Sequence, residues 1–361
     1  MKNSKNKKIK INGSINSVNE LRLAFERNNI RKSSKFYNEI EEVTKIYPMR
    51  ISPHVFRLCL KSPAVYKQFI PDKKELSVYD TATLDPLKEN HKMPVKNLIH
   101  MYPDRVLLLT TDECFSYCRF CTRKRLKRDH KKISTENLNK ACRYISEHKQ
   151  IRDVILSGGD PLTLNDSELE EILKKIRNIK NVKIIRIGTR TILSCPSRIT
   201  DRLVEIIKKY KPIYVNVHFN SADEFTQESV MAIKKLVDNG IPLNNLAVLM
   251  KGINNSTKAI KELFYSCVDN RVRSYYLSQC DEVQGTEHFW TDYQDIFKIA
   301  KSLIGNISGL AIPYFIVDCK GLKGKVRVLP DFYTERDEES ITLKAFNDRL
   351  YTYKNLKKMS K

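Results

Sequence analysis

The sequence predicts an α/β protein built on an open, partial (β/α)6 TIM-like barrel. Two patterns carry that reading. From Val106 onward, short apolar runs alternate with longer stretches of helical apolar spacing. Polar and glycine-bearing segments stand at the ends of the apolar runs, where α/β barrels keep their chemistry. The chain has 361 residues, enough for one large barrel with additions or two modest domains.

Strand candidates are 106–111, 153–157, 182–188, 214–219, 243–250 and 273–279. Helical stretches lie between them, near 134–147, 166–178, 199–210, 223–239 and 256–269. Ser134-Thr135-Glu136-Asn137 and Asp166-Ser167-Glu168 supply helix starts. Crossovers of this kind between parallel strands are right-handed. Ahead of the barrel, 17–28, 34–47 and 54–61 have helical spacing, whereas 62–105 is broken by prolines and reads as irregular. After it come a helix near 291–304, a β-rich stretch over 310–329 and a charged final thirty residues that read as helical. The expected organisation is a helical extension packed on the barrel (1–105), the barrel itself (106–305), and a C-terminal segment with a charged tail (306–361).

The formal net charge of +23 raises nucleic acid as a partner. The charge is spread over helix faces, as in Lys174-Lys175, Lys208-Lys209, Lys234-Lys235 and Lys357-Lys358, rather than gathered into one block. It reads as solvated surface and argues against nucleic acid. Nine irregularly spaced cysteines do not make a disulfide framework. Met1–Lys8 is basic but lacks the apolar core of a secretory signal, and no run approaches 18 apolar residues. A cytoplasmic protein without a membrane span is expected.

The first strand leads into Cys114-Phe115-Ser116-Tyr117-Cys118-Arg119-Phe120-Cys121. Three thiolates at these spacings can wrap one small polynuclear centre and leave one iron for a ligand that is not protein. A structural zinc site wants four ligands, and no nearby fourth completes one; three packing cysteines are the plainer alternative. Ser157-Gly158-Gly159-Asp160 ends the second strand, where glycines allow close backbone approach to a ligand. Gly188-Thr189-Arg190 ends the third, Asn216–Asn220 with His218 the fourth, and Gln279-Cys280-Asp281 the sixth. Lys325 follows a turn containing Gly321 and Gly324. A lysine amine so placed suits pyridoxal 5′-phosphate (PLP), although most lysines in such turns are plain loop residues.

The cysteine loop with Phe120, followed one βα unit later by the glycine pair, resembles that of the radical S-adenosylmethionine (SAM) enzymes. Ordered matches from about 47 to 330 go further and resemble the lysine 2,3-aminomutase family. They include Tyr102-Pro103-Asp104-Arg105, Cys121-Thr122-Arg123-Lys124-Arg125, Leu249-Met250-Lys251-Gly252, Tyr275-Tyr276-Leu277, Glu287-His288-Phe289 and Asp318 through Pro330. The resemblance implies a [4Fe–4S] cluster on Cys114, Cys118 and Cys121, with SAM held near Ser157, Gly158, Gly159, Asp160 and His218. It implies PLP on Lys325, with Tyr102 and Arg105 around the ring and phosphate. It gives Arg123 the substrate carboxylate, and Asp281 and Asp318 the far ammonium of an amino acid. The implied reaction moves the amino group of L-lysine from C2 to C3, and the implied reductant is an electron donor such as flavodoxin or ferredoxin.

Two carboxylates would clamp a cationic side chain and repel glutamate. Arginine, a lysine derivative, or β-lysine supply for translation-factor modification stay open, as does an RNA-modifying radical SAM enzyme. The chain also departs from the family pattern. Met101 stands where a basic residue is expected, Leu246 where a polar one is, and Leu322 and Lys323 interrupt the glycine run. No cysteine follows Pro330 and Ser256 replaces a remote ligand, which argues against structural zinc. A homo-oligomer stays open, and so does an assembly unlike that of the longer relatives.

Overall fold

The computed structural model describes residues 13–77, 79–126, 131–321, 324–330, 332–336 and 340–354. Met1–Lys8, Leu322, Lys323 and the Lys357-Lys358 pair lie outside the described residues. Four helices come first: α1 (Val18–Glu26), α2 (Ser34–Ile46), α3 (Pro53–Cys59) and α4 (Pro63–Phe69). Each starts at a serine whose hydroxyl accepts the N–H three residues on: Ser17, Ser33, Ser52 and Ser62. Pro53 and Pro63 sit in the first turn, where a missing N–H breaks no helical bond. The prolines that made 62–105 read as irregular therefore begin one helix, α4, and leave room for a strand, β1 (Leu98–Tyr102).

β1 pairs antiparallel with β2 (Arg105–Thr111), and the βα alternation follows. In order come α5 (Thr135–Glu147), β3 (Asp153–Gly158), α6 (Asp166–Arg177), β4 (Ile184–Thr189), the short α7 (Thr191–Ser194) and α8 (Asp201–Lys209). Then come β5 (Ile213–Val217), α9 (Gln227–Asp238), β6 (Leu243–Leu249), α10 (Thr257–Asp269), β7 (Val272–Gln279), α11 (Tyr293–Leu303), β8 (Tyr314–Cys319) and β9 (Gly324–Arg327). Ser134, Asn165, Thr200, Thr226 and Ser256 cap the longer helices. The six expected strands are present and parallel, and β8 continues the same sheet as a seventh.

Strand alternation decides which side chains reach the barrel interior. In β3, Val154 and Leu156 are fully buried among the core hydrophobics, while Asp153, Ile155 and Ser157 line the central cavity. In β4, Ile185 and Ile187 are likewise core, and Arg186 and Gly188 line the cavity. β1 and β9 are the two edges of the nine-stranded sheet. The Tyr102 hydroxyl on β1 accepts from the Lys325 backbone N–H on β9 at 2.9 Å, so one side chain spans the seam between the edges.

The final segment corrects a sequence expectation. Its described part is not helical but a three-stranded antiparallel sheet, β10 (Tyr333–Arg336), β11 (Ser340–Lys344) and β12 (Leu350–Lys354). Ile341, Leu343, Tyr351 and Thr352 favour a pleated surface, and Asn347-Asp348 turns the chain with Asp348 at φ +61°. Charge had masked that pattern. Among the described residues no helix is long and apolar enough to cross a membrane.

Candidate active site

The barrel encloses a cavity of about 830 Å³ at whose wall all fourteen expected site residues lie. The loop after β2 carries the three cysteines and is held from outside the barrel. Tyr117 N–H donates to Arg50 O at 2.8 Å, and Arg119 N–H to Gln68 O at 2.8 Å. The Arg119 side chain, 1% exposed, forks onto Glu75 with contacts of 2.7–3.1 Å and also donates to the Tyr47 and Pro48 carbonyls. Lys124 Nζ adds 2.8 Å to Glu75 and 2.7 Å to Gly285 O. Burial alone would raise the Glu75 carboxyl, but Arg119 and Lys124 more than offset it and hold the group below its ordinary range. Burial pushes the Lys124 ammonium down to about 8.

Phe120 packs against His218 and Phe289 between the second and third cysteines. Cys114, Cys118 and Cys121 all face the cavity, and among the described residues no three metal-binding side chains gather tightly enough for a single ion. Three thiolates on one loop facing one cavity are soft donors of the kind an iron–sulfur centre takes, and they leave one iron for a ligand that is not protein, so the donor set fits such a centre.

The glycine pair acts on this loop directly. A Cβ on Gly158 would lie 2.1 Å from Thr111 O, and one on Gly159 2.0 Å from Glu113 O. Gly158 is also at φ +122°, a conformation that side chains resist. Gly159 N–H donates to Thr111 O at 2.5 Å and Asp160 N–H to Glu113 O at 2.6 Å. The glycines therefore let the end of β3 press on the backbone just ahead of Cys114. Asp160 is 3% exposed and accepts from Thr189 Oγ1, Arg190 N–H and Leu162 N–H, which ties the β3 loop to the end of β4. His218 pairs with Asn220 at 3.2 Å; burial, with Arg190 beside it, pushes the imidazole down to about 3. It is neutral throughout the physiological range.

Arg123 projects into the cavity already engaged. Nε and Nη2 fork onto Glu89 at 2.6–3.0 Å, and Nη1 donates to Ser157 Oγ at 3.3 Å. Arg125 shares Glu89 at 3.1 Å and contacts Asp85 at 3.0 Å. Burial works to raise the Glu89 carboxyl, yet the two guanidiniums hold it below the ordinary range.

Asp281, at the end of β7, accepts from Thr122 Oγ1 at 2.7 Å. Burial, with Asp318 nearby, pushes its carboxyl up to about 6. Asp318 stands directly opposite Lys325 in the β8–β9 ladder, and the two side chains form an ion pair. One Asp318 oxygen, Oδ1, is buried without a hydrogen-bond partner among the described residues, so the carboxylate keeps capacity for another donor. Arg105 lies 3.8 Å from the centre of the Tyr102 ring and pairs with Asp104 at 3.0 Å. An amine, a phenol and a guanidinium at one end of the cavity fit a phosphate-bearing aldehyde cofactor, and Met101 and Leu246 add apolar surface to the cavity wall.

Sequence reasoning missed Gln68, Glu75, Glu89, Thr122 and Glu224. Glu89 and Glu75 come from short 3-10 turns in the proline-rich stretch, where no periodicity marks them. Gln68 carried the one available signal, an amide on the apolar face of α4.

Comparison with known proteins agrees with this architecture. The Radical SAM superfamily model matches residues 108–264. An L-lysine 2,3-aminomutase from Methanococcus maripaludis is 41% identical over 320 residues, covering 87% of this chain and 74% of that protein. One from Fusobacterium nucleatum is 43% identical over 309 residues, covering 84% and 73%. A glutamate 2,3-aminomutase from Clostridioides difficile is 39% identical over 268 residues, covering 74% and 64%. With such identity along most of both chains, and a cysteine-bearing loop at the mouth of a parallel barrel, this protein belongs to the lysine 2,3-aminomutase family of radical SAM isomerases.

Proposed function

We propose that the protein moves the amino group of L-lysine from C2 to C3, giving β-lysine. The observation that carries this reading is the pair of carboxylates, Asp281 and Asp318, beside the Lys325 amine in one cavity. Two buried carboxylates favour a side chain ending in a cation. At about 4 Å and an effective dielectric near 20, each unit charge contributes ~4 kcal/mol, attractive for an ammonium and repulsive for a carboxylate. Glutamate is disfavoured on that ground.

Cys114, Cys118 and Cys121 hold the [4Fe–4S] cluster, with SAM beside Ser157, Gly158, Gly159, Asp160 and His218. Lys325 carries PLP, flanked by Tyr102 and Arg105. When bound, these groups supply a carbon radical that takes hydrogen from the substrate and a π-system that shares the unpaired electron. The chain's own residues do the positioning. Arg123, braced by Glu89, orients the substrate carboxylate by charge-assisted hydrogen bonds. Thr122 holds the Asp281 carboxylate toward the ammonium. Phe120, Ile155, Leu246 and Val248 make the wall apolar and keep water from reactive carbon centres.

The test is an anaerobic assay of protein with reconstituted cluster, SAM, PLP and dithionite, offered L-lysine, L-arginine or L-glutamate separately. Mass spectrometry after derivatisation separates α- from β-amino products. β-Lysine from the wild type and none from Lys325→Ala is the expected outcome. Deoxyadenosine release without a β-amino acid from any of the three would reject the substrate assignment.

A further inference from the structure

Arg190, in the turn after β4, is the centre of a buried polar network in the cavity wall. Its side chain is 10% exposed, and each of its nitrogens is directed at a separate partner. Nη1 donates to Cys118 Sγ at 2.9 Å. Nε donates to His218 O at 3.1 Å, and Nη2 to Gln68 Oε1 at 2.5 Å and Glu224 Oε1 at 3.1 Å. The guanidinium also lies over the rings of Phe69 and Phe120.

The partners are themselves fixed. Glu224 and Gln68 are both fully buried. Gln68 Nε2 donates to Glu224 Oε1 at 2.7 Å, Asn220 N–H to Glu224 Oε2 at 3.0 Å, and Asn220 Nδ2 to Gln68 Oε1 at 2.9 Å. A buried guanidinium thus touches a cysteine sulfur, and the Glu224 carboxyl stands directly behind it; burial raises that carboxyl above its ordinary range, while all three of its contacts, from Arg190, Gln68 and the Asn220 N–H, are donors that favour the ionised form. Packing does not call for this arrangement, since taking two charges out of water is costly.

Hydrogen bonds to cluster sulfurs and nearby fixed charge are the protein's levers on the reduction potential of an iron–sulfur centre. A cation donating to a thiolate stabilises the more negative, reduced state; an anion behind it opposes that effect. Arg190 and Glu224 are 10% and 0% exposed, so both act with little screening. We propose that Arg190 and Glu224 form a charge couple that sets the potential of the cluster through the N–H···S bond to Cys118, Arg190 raising it and Glu224 lowering it. The inference rests on Cys118 being a cluster ligand. Arg190 is a positioning residue here, and Gln68 is the strut that fixes its distance from Glu224.

The experiment is an anaerobic redox titration of reconstituted protein followed by electron paramagnetic resonance, with iron and sulfide content and far-ultraviolet circular dichroism measured in parallel. Arg190→Gln is expected to shift the midpoint to more negative potential, and Glu224→Gln, which keeps the shape and, through its one amide oxygen, the bonds from Arg190 and Gln68 while giving up that from the Asn220 N–H, to more positive potential. Arg190→Lys retains the cation and should lie between Arg190→Gln and the wild type. A role confined to folding would not move two neighbours in opposite directions. Should Arg190→Gln take up no cluster, Glu224→Gln decides alone. Wild-type potentials in the loaded variants, or shifts of the same sign, would overturn the proposal. A wild type that takes up no iron and sulfide would instead overturn the cluster assignment on which it rests.

Discussion

Asp281→Asn should make the protein more stable and a worse enzyme, and both magnitudes follow from the site. Burial raises the Asp281 carboxyl from 3.8 to about 6. The folded state therefore binds this proton more tightly than the unfolded chain. Stability conferred by the protonated form falls as pH rises between about 4 and 6, and the full cost is present above that window. The difference between 3.8 and about 6 corresponds to ~3 kcal/mol, an upper bound on what asparagine recovers at neutral pH. Asparagine can still accept the Thr122 hydrogen bond through Oδ1. The substrate side runs the other way. A lysine ammonium loses ~4 kcal/mol of attraction and keeps ~1 kcal/mol from the amide oxygen, a net ~3 kcal/mol or ~10²-fold in kcat/KM. Urea unfolding at neutral pH and at about pH 5 measures the first effect, and the gain should shrink at the lower pH. Initial rates with L-lysine measure the second. A variant less stable than the wild type at neutral pH would refute the electrostatic account of Asp281. Retention of kcat/KM within roughly threefold would refute its contact with the substrate ammonium.

Two further perturbations probe the scaffold. Glu75→Gln leaves Arg119 and Lys124 buried without their anion, so urea unfolding should show a loss of ~3–5 kcal/mol, together with reduced iron uptake on reconstitution; an unchanged midpoint would mean that Glu75 does not anchor the cysteine loop. Gly159→Ala places a Cβ against Glu113 O and should push the chain ahead of Cys114 out of position, with iron and sulfide per chain falling well below wild type. Full cluster loading in Gly159→Ala would show that the close packing of the two loops is dispensable.

The sequence carried the barrel because its strands are local signals. The run Val106-Leu107-Leu108-Leu109 and the alternating residues of β3 and β4 satisfy the strand period without help from the rest of the chain. The cysteine loop, Asp281, Asp318 and Lys325 were legible for a different reason, since their residue types and order match a family pattern. What was not legible depends on long-range geometry. Glu89 meets Arg123 across 34 positions and Glu75 meets Arg119 across 44, and no spacing rule connects either pair. The glycine pair was visible, but its neighbour was expected to be a ligand and is also the backbone of the adjacent loop. The terminal sheet was misread because the lysines and glutamates that suggested helix alternate with residues that pair across strands, such as Thr342 and Thr352 at 3.0 Å.

The grip on Arg119 has a consequence for anyone dividing the chain. The stretch shared with the wider superfamily, 108–264, contains all three cysteines. Tyr47, Pro48, Arg50, Gln68 and Glu75, which hold the backbone and side chain of the loop between those cysteines, all precede it. A fragment cut to the shared stretch would keep the sulfurs and discard what fixes their spacing. The smallest unit expected to assemble the centre therefore begins no later than Tyr47, and the span matched by the superfamily is a poor guide to where a working piece of this protein starts.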